Sequence, residues 1–175
     1  MNEVLNTIAR RYSCRSFTNQ VVENEKVEAI ALAAIQAPSA VNKQPWQIIV
    51  IKDKALIEEM DVYGMTQLDE ASHQRIMGRG GKLFYNAALM VVIAKQGNKD
   101  LDCGIVTQNV TLAATSLGLG SVVCALAGYV FNNEDYKKKV IPEGYEFAIS
   151  VLIGYPTNPD GKAHEVDLKK ITYIG

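Results

Sequence analysis

Apolar residues recur along this chain in two rhythms, one helical and one extended. Val4, Leu5 and Ile8 repeat at helical spacing and run into Arg10 and Arg11. Val27, Ile30, Ala31, Ala34 and Ile35 do the same across a second helix expected over 23–36. The β-branched run Ile48-Ile49-Val50-Ile51 predicts a strand over 48–52, followed by an amphipathic helix over 54–63. From 64 to 82 glycine, methionine and charge mix without a sustained period, and this stretch is expected to be partly mobile. A buried strand is expected over 87–94. Asp102 is placed as the N-cap of a long helix reaching Leu117. Ile105, Val106, Val110, Leu112, Ala113 and Leu117 cover more than one face of that helix, which implies burial on all sides. A second copy of the chain is the simplest source of the extra cover. Two more strands are expected over 121–126 and 147–153, separated by a short helix over 132–140 that Pro142 stops. The tail from Pro156 is turn-rich, then returns to strand chemistry over 169–174. The order α-α-β-α-β-α-β-α-β-tail predicts an α+β fold with a small central sheet. Neither a repeat nor a linker interrupts it, so one domain over 1–175 is expected.

Two polar stretches interrupt these rhythms. The first is Ala37-Pro38-Ser39-Ala40-Val41-Asn42-Lys43-Gln44-Pro45-Trp46. Pro38 biases Ala37 away from helical angles, so the second helix ends there. The short connection beyond Pro38 joins two rigid elements, a usual location for a binding loop. Its small residues let backbone N–H groups approach a planar ligand, and Asn42 and Gln44 both donate and accept. A plain helix-to-strand turn reads the same residues equally well. The second stretch is Arg10-Arg11-Tyr12-Ser13-Cys14-Arg15. In extended chain Arg11, Ser13 and Arg15 point one way. A guanidinium fork with a hydroxyl suits phosphate oxygens. The plainer reading is a solvated basic helix end complementing the macrodipole.

Together these stretches resemble the FMN-dependent nitroreductase family, in which an arginine–x–serine–x–arginine run precedes a Pro-Ser-Ser/Ala-x-Asn-x-Gln-Pro-Trp loop. The resemblance continues through 102–120, which ends in Leu-Gly-Leu-Gly, and through Gly154-Tyr155-Pro156 with Lys162-Ala163-His164. It implies bound FMN, reduction by NAD(P)H, a small electron-poor acceptor such as a nitroaromatic or quinone, and an intertwined homodimer with a mainly antiparallel sheet. By the same resemblance the cofactor is held by Arg11, Tyr12, Ser13 and Arg15, by Pro38, Ser39, Ala40 and Asn42, by Cys124 and Ala125, and by Lys162 and His164. Arg15 is expected at the pyrimidine edge of the ring, where a fixed positive charge favours the reduced anion. Cys124 and Ala125 are expected to present backbone to the ring, although Cys124 is equally a small buried residue. The resemblance implies no catalytic acid, base or nucleophile. A flavin-binding module that stores or senses FMN without turnover is the alternative, and a structural homodimer with a vestigial site is a third. The chain departs from the family in its shorter length, in His164 where arginine is frequent, and in Ser121-Val122-Val123-Cys124-Ala125 where Ile-Gly is frequent.

Composition narrows the field. At 175 residues the chain is long enough to bury roughly 70% of its unfolded surface. A net charge of −1 argues against non-specific binding to nucleic acid or membrane. No apolar run approaches the ~18 residues of a membrane span, and Met1-Asn2-Glu3-Val4-Leu5 has no charged-then-apolar leader pattern, so a cytoplasmic location is expected. Three scattered cysteines give neither a disulfide framework nor a zinc site, and two histidines leave little for a catalytic triad or a histidine metal cluster. Gly118-Leu119-Gly120-Ser121-Val122-Val123 lacks the last glycine of a dinucleotide fingerprint and follows a helix. Gly78-Arg79-Gly80-Gly81-Lys82-Leu83 lacks the first glycine and the Ser/Thr of a P-loop.

Overall fold

A computed structural model describes residues 2–175. Its centre is a four-stranded antiparallel sheet in the order β1-β2-β4-β3, built from β1 (Trp46–Ile51), β2 (Leu89–Lys95), β3 (Gly120–Cys124) and β4 (Glu146–Gly154). Alternation along β2 supplies both faces of the sheet. Leu89, Val91 and Ile93 pack against α2 (Asn24–Ile35) and α5 (Asp100–Ser116). Met90, Val92 and Ala94 face α3 (Lys54–Thr66) and the turn-and-helix segment after β3. The fold is thus α+β, with a central strand buried from Leu89 to Ala94 between two helical layers. The register shifts between Ile93 and Ala94, where Ala148 of β4 is the extra residue of a bulge.

Local chemistry sets most boundaries. Asn2 caps α1 (Glu3–Arg10) by accepting from the Leu5 N–H at 3.0 Å. Asp53 caps α3 through the N–H groups of Ala55 and Leu56. Several expectations need correction. Residues 64–82 hold the end of α3 and a further helix, α4 (Glu70–Met77), which Asp69 caps through Ser72 and which buries Ile76. Asp102 is not an N-cap: α5 starts at Asp100 behind Lys99, and Asp102 lies in its first turn. β3 stops at Cys124, because Ala125–Ala127 coil into a 3₁₀ turn that leads into α6 (Gly128–Phe131). After α7 (Glu134–Val140), capped by Asn133 and so starting two residues later than the expected 132–140, comes β4. The tail forms no strand over 169–174; Leu168–Lys170 is a 3₁₀ turn, and Ile171, Tyr173 and Ile174 are exposed.

A buried carboxylate lies at the margin of the sheet. Asp61 of α3 is 4% exposed and accepts the Phe84 N–H at 2.6 Å, tying the turn before β2 to the helix. That turn is tight, with Tyr85 and Asn86 both at positive φ. Burial raises the Asp61 pKa above its ordinary value, against the lowering effect of the Phe84 N–H and Lys82. A carboxyl raised in the fold contributes stability below its unfolded pKa, and that contribution is lost as pH rises through the folded pKa. Asp61→Asn keeps an acceptor for Phe84 and removes the buried charge. Thermal melts should therefore place the variant above the parent at neutral pH, with the gap closing in acid; a uniformly lower melting curve would contradict this account.

Candidate functional site

The basic run is shaped by where α1 stops. Arg11 leaves helical angles, and the chain beyond it runs extended. Ser13 forms a parallel bridge with Ser121 of β3, and the Cys14 N–H donates to the Ser121 carbonyl at 2.9 Å. On the other side Phe17 bridges Pro156, Thr18 donates to the Tyr155 carbonyl at 2.8 Å, and Thr157 donates back to Ser16 at 3.1 Å. Residues 13–18 are thus zipped between the edge of β3 and the exit of β4. Cys14 and Phe17 are the buried anchors. They pack closely against two glycines: a Cβ on Gly120 would meet Cys14 at 2.8 Å, and one on Gly154 the Phe17 ring at 3.1 Å. With Cys14 turned inward, Arg15 is left exposed and Ser13 and Arg11 half-buried. Every ion pair among the described residues uses a lysine. Arg11 and Arg15 therefore carry charge that no carboxylate of the described chain neutralises, and Arg15 has only a long 3.5 Å contact to the Ser13 carbonyl.

The loop after α2 is held differently. Val41, Asn42 and Gln44 all take positive φ (49°, 56° and 46°). For β-branched Val41, 84% exposed, that conformation costs on the order of 1–3 kcal/mol and points to a constrained loop. Ser39 accepts the Gln44 N–H at 2.8 Å, and Gln44 donates to the Asn42 side chain at 2.9 Å. Pro45 and Trp46 are buried beneath it, and Asp102 accepts the Ala40 N–H at 3.3 Å. Pro38, Ala40 and Asn42 remain exposed and Ser39 half-buried, with the Asn42 amide N–H₂ directed to no partner among the described residues. Sequence reasoning missed the anchoring role of Asp102, which the cap rule had assigned elsewhere.

Of the remaining sequence-chosen residues, Cys124 is buried and its carbonyl accepts the Ser150 hydroxyl at 2.8 Å. Ala125 is exposed at the start of the 3₁₀ turn. Burial pushes the thiols of Cys103 and Cys124 each up to about 11, so neither is a thiolate nucleophile at neutral pH. Lys162 and His164 are exposed in the tail. The Tyr12 ring and hydroxyl are engaged with that tail, the hydroxyl donating to the Asn158 carbonyl at 2.8 Å. Among the described residues no three metal-ligating side chains converge, and no helix is long and apolar enough to cross a membrane.

The structure brings Arg11, Ser13 and Arg15 together with the tail at one corner of the sheet. It leaves the 38–44 loop at the diagonally opposite corner, because Ser121 opens β3 at one edge and Trp46 opens β1 at the other. The register separates these levels by six residues along the strands and three strand spacings across, about 25 Å in all.

Residues 8–130 match the family model described as the nitroreductase family. This chain belongs to the nitroreductase family. A Desulfitobacterium hafniense nitroreductase solved with bound FMN superposes with a TM-score of 0.95 at 44% identity, each chain covered completely. An Archaeoglobus fulgidus protein provisionally named NADH dehydrogenase/NAD(P)H nitroreductase is 31% identical, over 89% of this chain and 87% of its own. A Bacillus subtilis FMN reductase (NADPH) is 26% identical, over 93% of this chain and 69% of its own. In this nitroreductase-family chain, Asp102→Ala removes the one side-chain acceptor that ties the 38–44 loop to α5. Hydrogen exchange at the Ala40 amide should then accelerate about tenfold, as for a lost contact of ~1.4 kcal/mol, while amides of β2 keep their protection. Unchanged exchange at Ala40 would show that the loop's own bonds suffice.

Proposed function

We propose that this chain is an FMN-dependent NAD(P)H oxidoreductase that passes electrons to nitroaromatics, quinones or similar electron-poor acceptors, built as a homodimer of one-domain chains. The observation that carries the reading is the un-neutralised pair Arg11 and Arg15, the first half-buried at the C-cap of α1 and the second exposed on backbone that is zipped to two strands. The donor set fits FMN: two guanidinium forks and a hydroxyl for anionic oxygens, and a rigid loop of exposed small residues for a flat ring.

Arg11 and Ser13 hold the phosphate, with Lys162 and His164 of the tail at the same end. Arg15 sits toward the pyrimidine edge, where its permanent charge favours the reduced ring. Pro38, Ser39 and Ala40 cover the ring face, and the Asn42 amide donates to ring carbonyls. The chemistry FMN supplies when bound is two-electron uptake from a reduced nicotinamide and delivery to an acceptor. The chain's part is binding, orientation and charge, which agrees with the raised thiols of Cys103 and Cys124.

The diagonal separation of the basic run from the loop supports a two-fold arrangement, in which each ring is held by the arginines of one copy and covered by the loop of the other. Exposed Val4, Leu5 and Ile8 on α1 and Leu32 and Ile35 on α2 supply apolar surface for such a contact.

The test is anaerobic titration of purified holoprotein with NADH and with NADPH, followed by addition of acceptor. The flavin absorbance should bleach and then recover. Bound FMN that neither nicotinamide bleaches would make the protein a storage module and sink the oxidoreductase reading. Arg11→Ala should fold normally and bind FMN at least about tenfold more weakly, as expected for one lost charge-assisted contact.

A further inference from the structure

The tail has an anchor that the oxidoreductase reading does not use. From Pro156 the chain is rich in proline, glycine, asparagine and aspartate, and Lys162 stands 84% exposed with only a 3.5 Å ion pair to Glu165. Such a lysine has no fixed position of its own, since an exposed pair of this kind holds a side chain weakly. Tyr12 constrains the backbone just before it in two ways. Its hydroxyl donates to the Asn158 carbonyl at 2.8 Å. Its ring lies so close over Gly161 that a Cβ there would overlap the ring carbons Cε2 and Cζ. Glycine is needed at 161 for this contact rather than for a left-handed angle. The tyrosine is itself half-buried, and its phenol is pushed up to about 12, chiefly by burial, so it remains a donor throughout the working pH range.

We propose that Tyr12 is a positioning residue: seated on Gly161 and Asn158, it fixes the tail so that Lys162 reaches the phosphate end held by Arg11, and it thereby sets the preference for FMN over riboflavin. This rests on the FMN reading above. Arg11 directly precedes Tyr12 on one stretch of chain, and Lys162 directly succeeds Gly161 on the other. The clasp therefore holds the Lys162 backbone within about a tyrosine side chain's reach of the segment that carries Arg11. Fixing residues 158 and 161 before the ligand arrives removes ordering cost that a loose tail would meet on binding. The gain is specific to a ligand that carries a phosphate, because Lys162 has nothing to neutralise in riboflavin.

The test is a fluorescence titration of full-length, flavin-stripped protein with FMN and with riboflavin. The variants are Lys162→Ala, Gly161→Ala, Tyr12→Ala and Tyr12→Phe, together with the Tyr12→Ala/Lys162→Ala double variant. Lys162→Ala, Gly161→Ala and Tyr12→Ala should each weaken FMN about fivefold or more and leave riboflavin unchanged. Tyr12→Phe, which keeps the ring over Gly161, should lie between the parent and Tyr12→Ala. In the Lys162→Ala background, Tyr12→Ala should add little, because its effect passes through the lysine. Equal weakening of FMN and riboflavin, or independent multiplication of the two effects, overturns the proposal. If Lys162→Ala is silent while Arg11→Ala weakens FMN, the clasp fails and the FMN reading stands. If both are silent, the phosphate site itself is misassigned. Should Tyr12→Ala fail to fold, Gly161→Ala and Tyr12→Phe carry the same comparison.

Discussion

The site depends on one backbone arrangement, the zipping of residues 13–18 between β3 and the exit of β4. Hydrogen bonds from Cys14, Thr18 and Thr157 satisfy main-chain groups on both sides, and buried Cys14 and Phe17 anchor the segment at two points. With Cys14 turned inward, its neighbours Ser13 and Arg15 point away from it. Gly120 is part of the same constraint, since a Cβ there would meet Cys14 at 2.8 Å and force a shift, and one on Gly154 would crowd the Phe17 ring at 3.1 Å. A charged side chain needs this kind of support to act as more than a solvated tether. The surrounding strands supply it here without spending a carboxylate on Arg11 or Arg15.

The sheet then does a second job, as a spacer. Its order and register put the basic run and the left-handed loop at opposite corners, too far apart to grip one ring from both sides within a single chain. The loop is rigid in its own right, through Ser39, Gln44 and the buried Pro45 and Trp46, and Asp102 couples it to the start of α5. Each half is therefore preformed, and in the proposed dimer two copies join them. The exposed apolar residues on α1 and α2 fit that division of labour.

Much of this was legible in the sequence, and the exceptions have physical causes. Helices with strong periodicity or clear caps, such as α2, α3 and α7, fall where the pattern placed them. The α+β class and the nitroreductase family likewise follow from the order of elements and from the two polar motifs. α4 escaped because its polar face dominates, leaving Ile76 as its one buried apolar residue, and only the Asp69–Ser72 cap marked it. The tail misled because Ile171, Thr172, Tyr173 and Ile174 have strand propensity, yet propensity does not make a strand without an edge to pair with. Asp102 was mistaken for a cap because an acidic residue before an apolar run fits that pattern; its partner, Ala40, lies 62 residues away. Tyr12 and Gly161 are a long-range pair of the same kind, invisible to local spacing.

The most direct test of the central claim, that each flavin site joins the arginines of one copy to the loop of another, is subunit complementation. One tagged copy carries Arg11→Ala and Arg15→Ala, and a second, differently tagged copy carries Asn42→Ala and Gln44→Ala. Each homodimer should bind FMN weakly. The purified heterodimer should recover one tight site per dimer, because one of its two sites takes intact arginines from the second copy and an intact loop from the first. A heterodimer that binds no FMN tightly would place both halves of the site in a single chain and contradict the account.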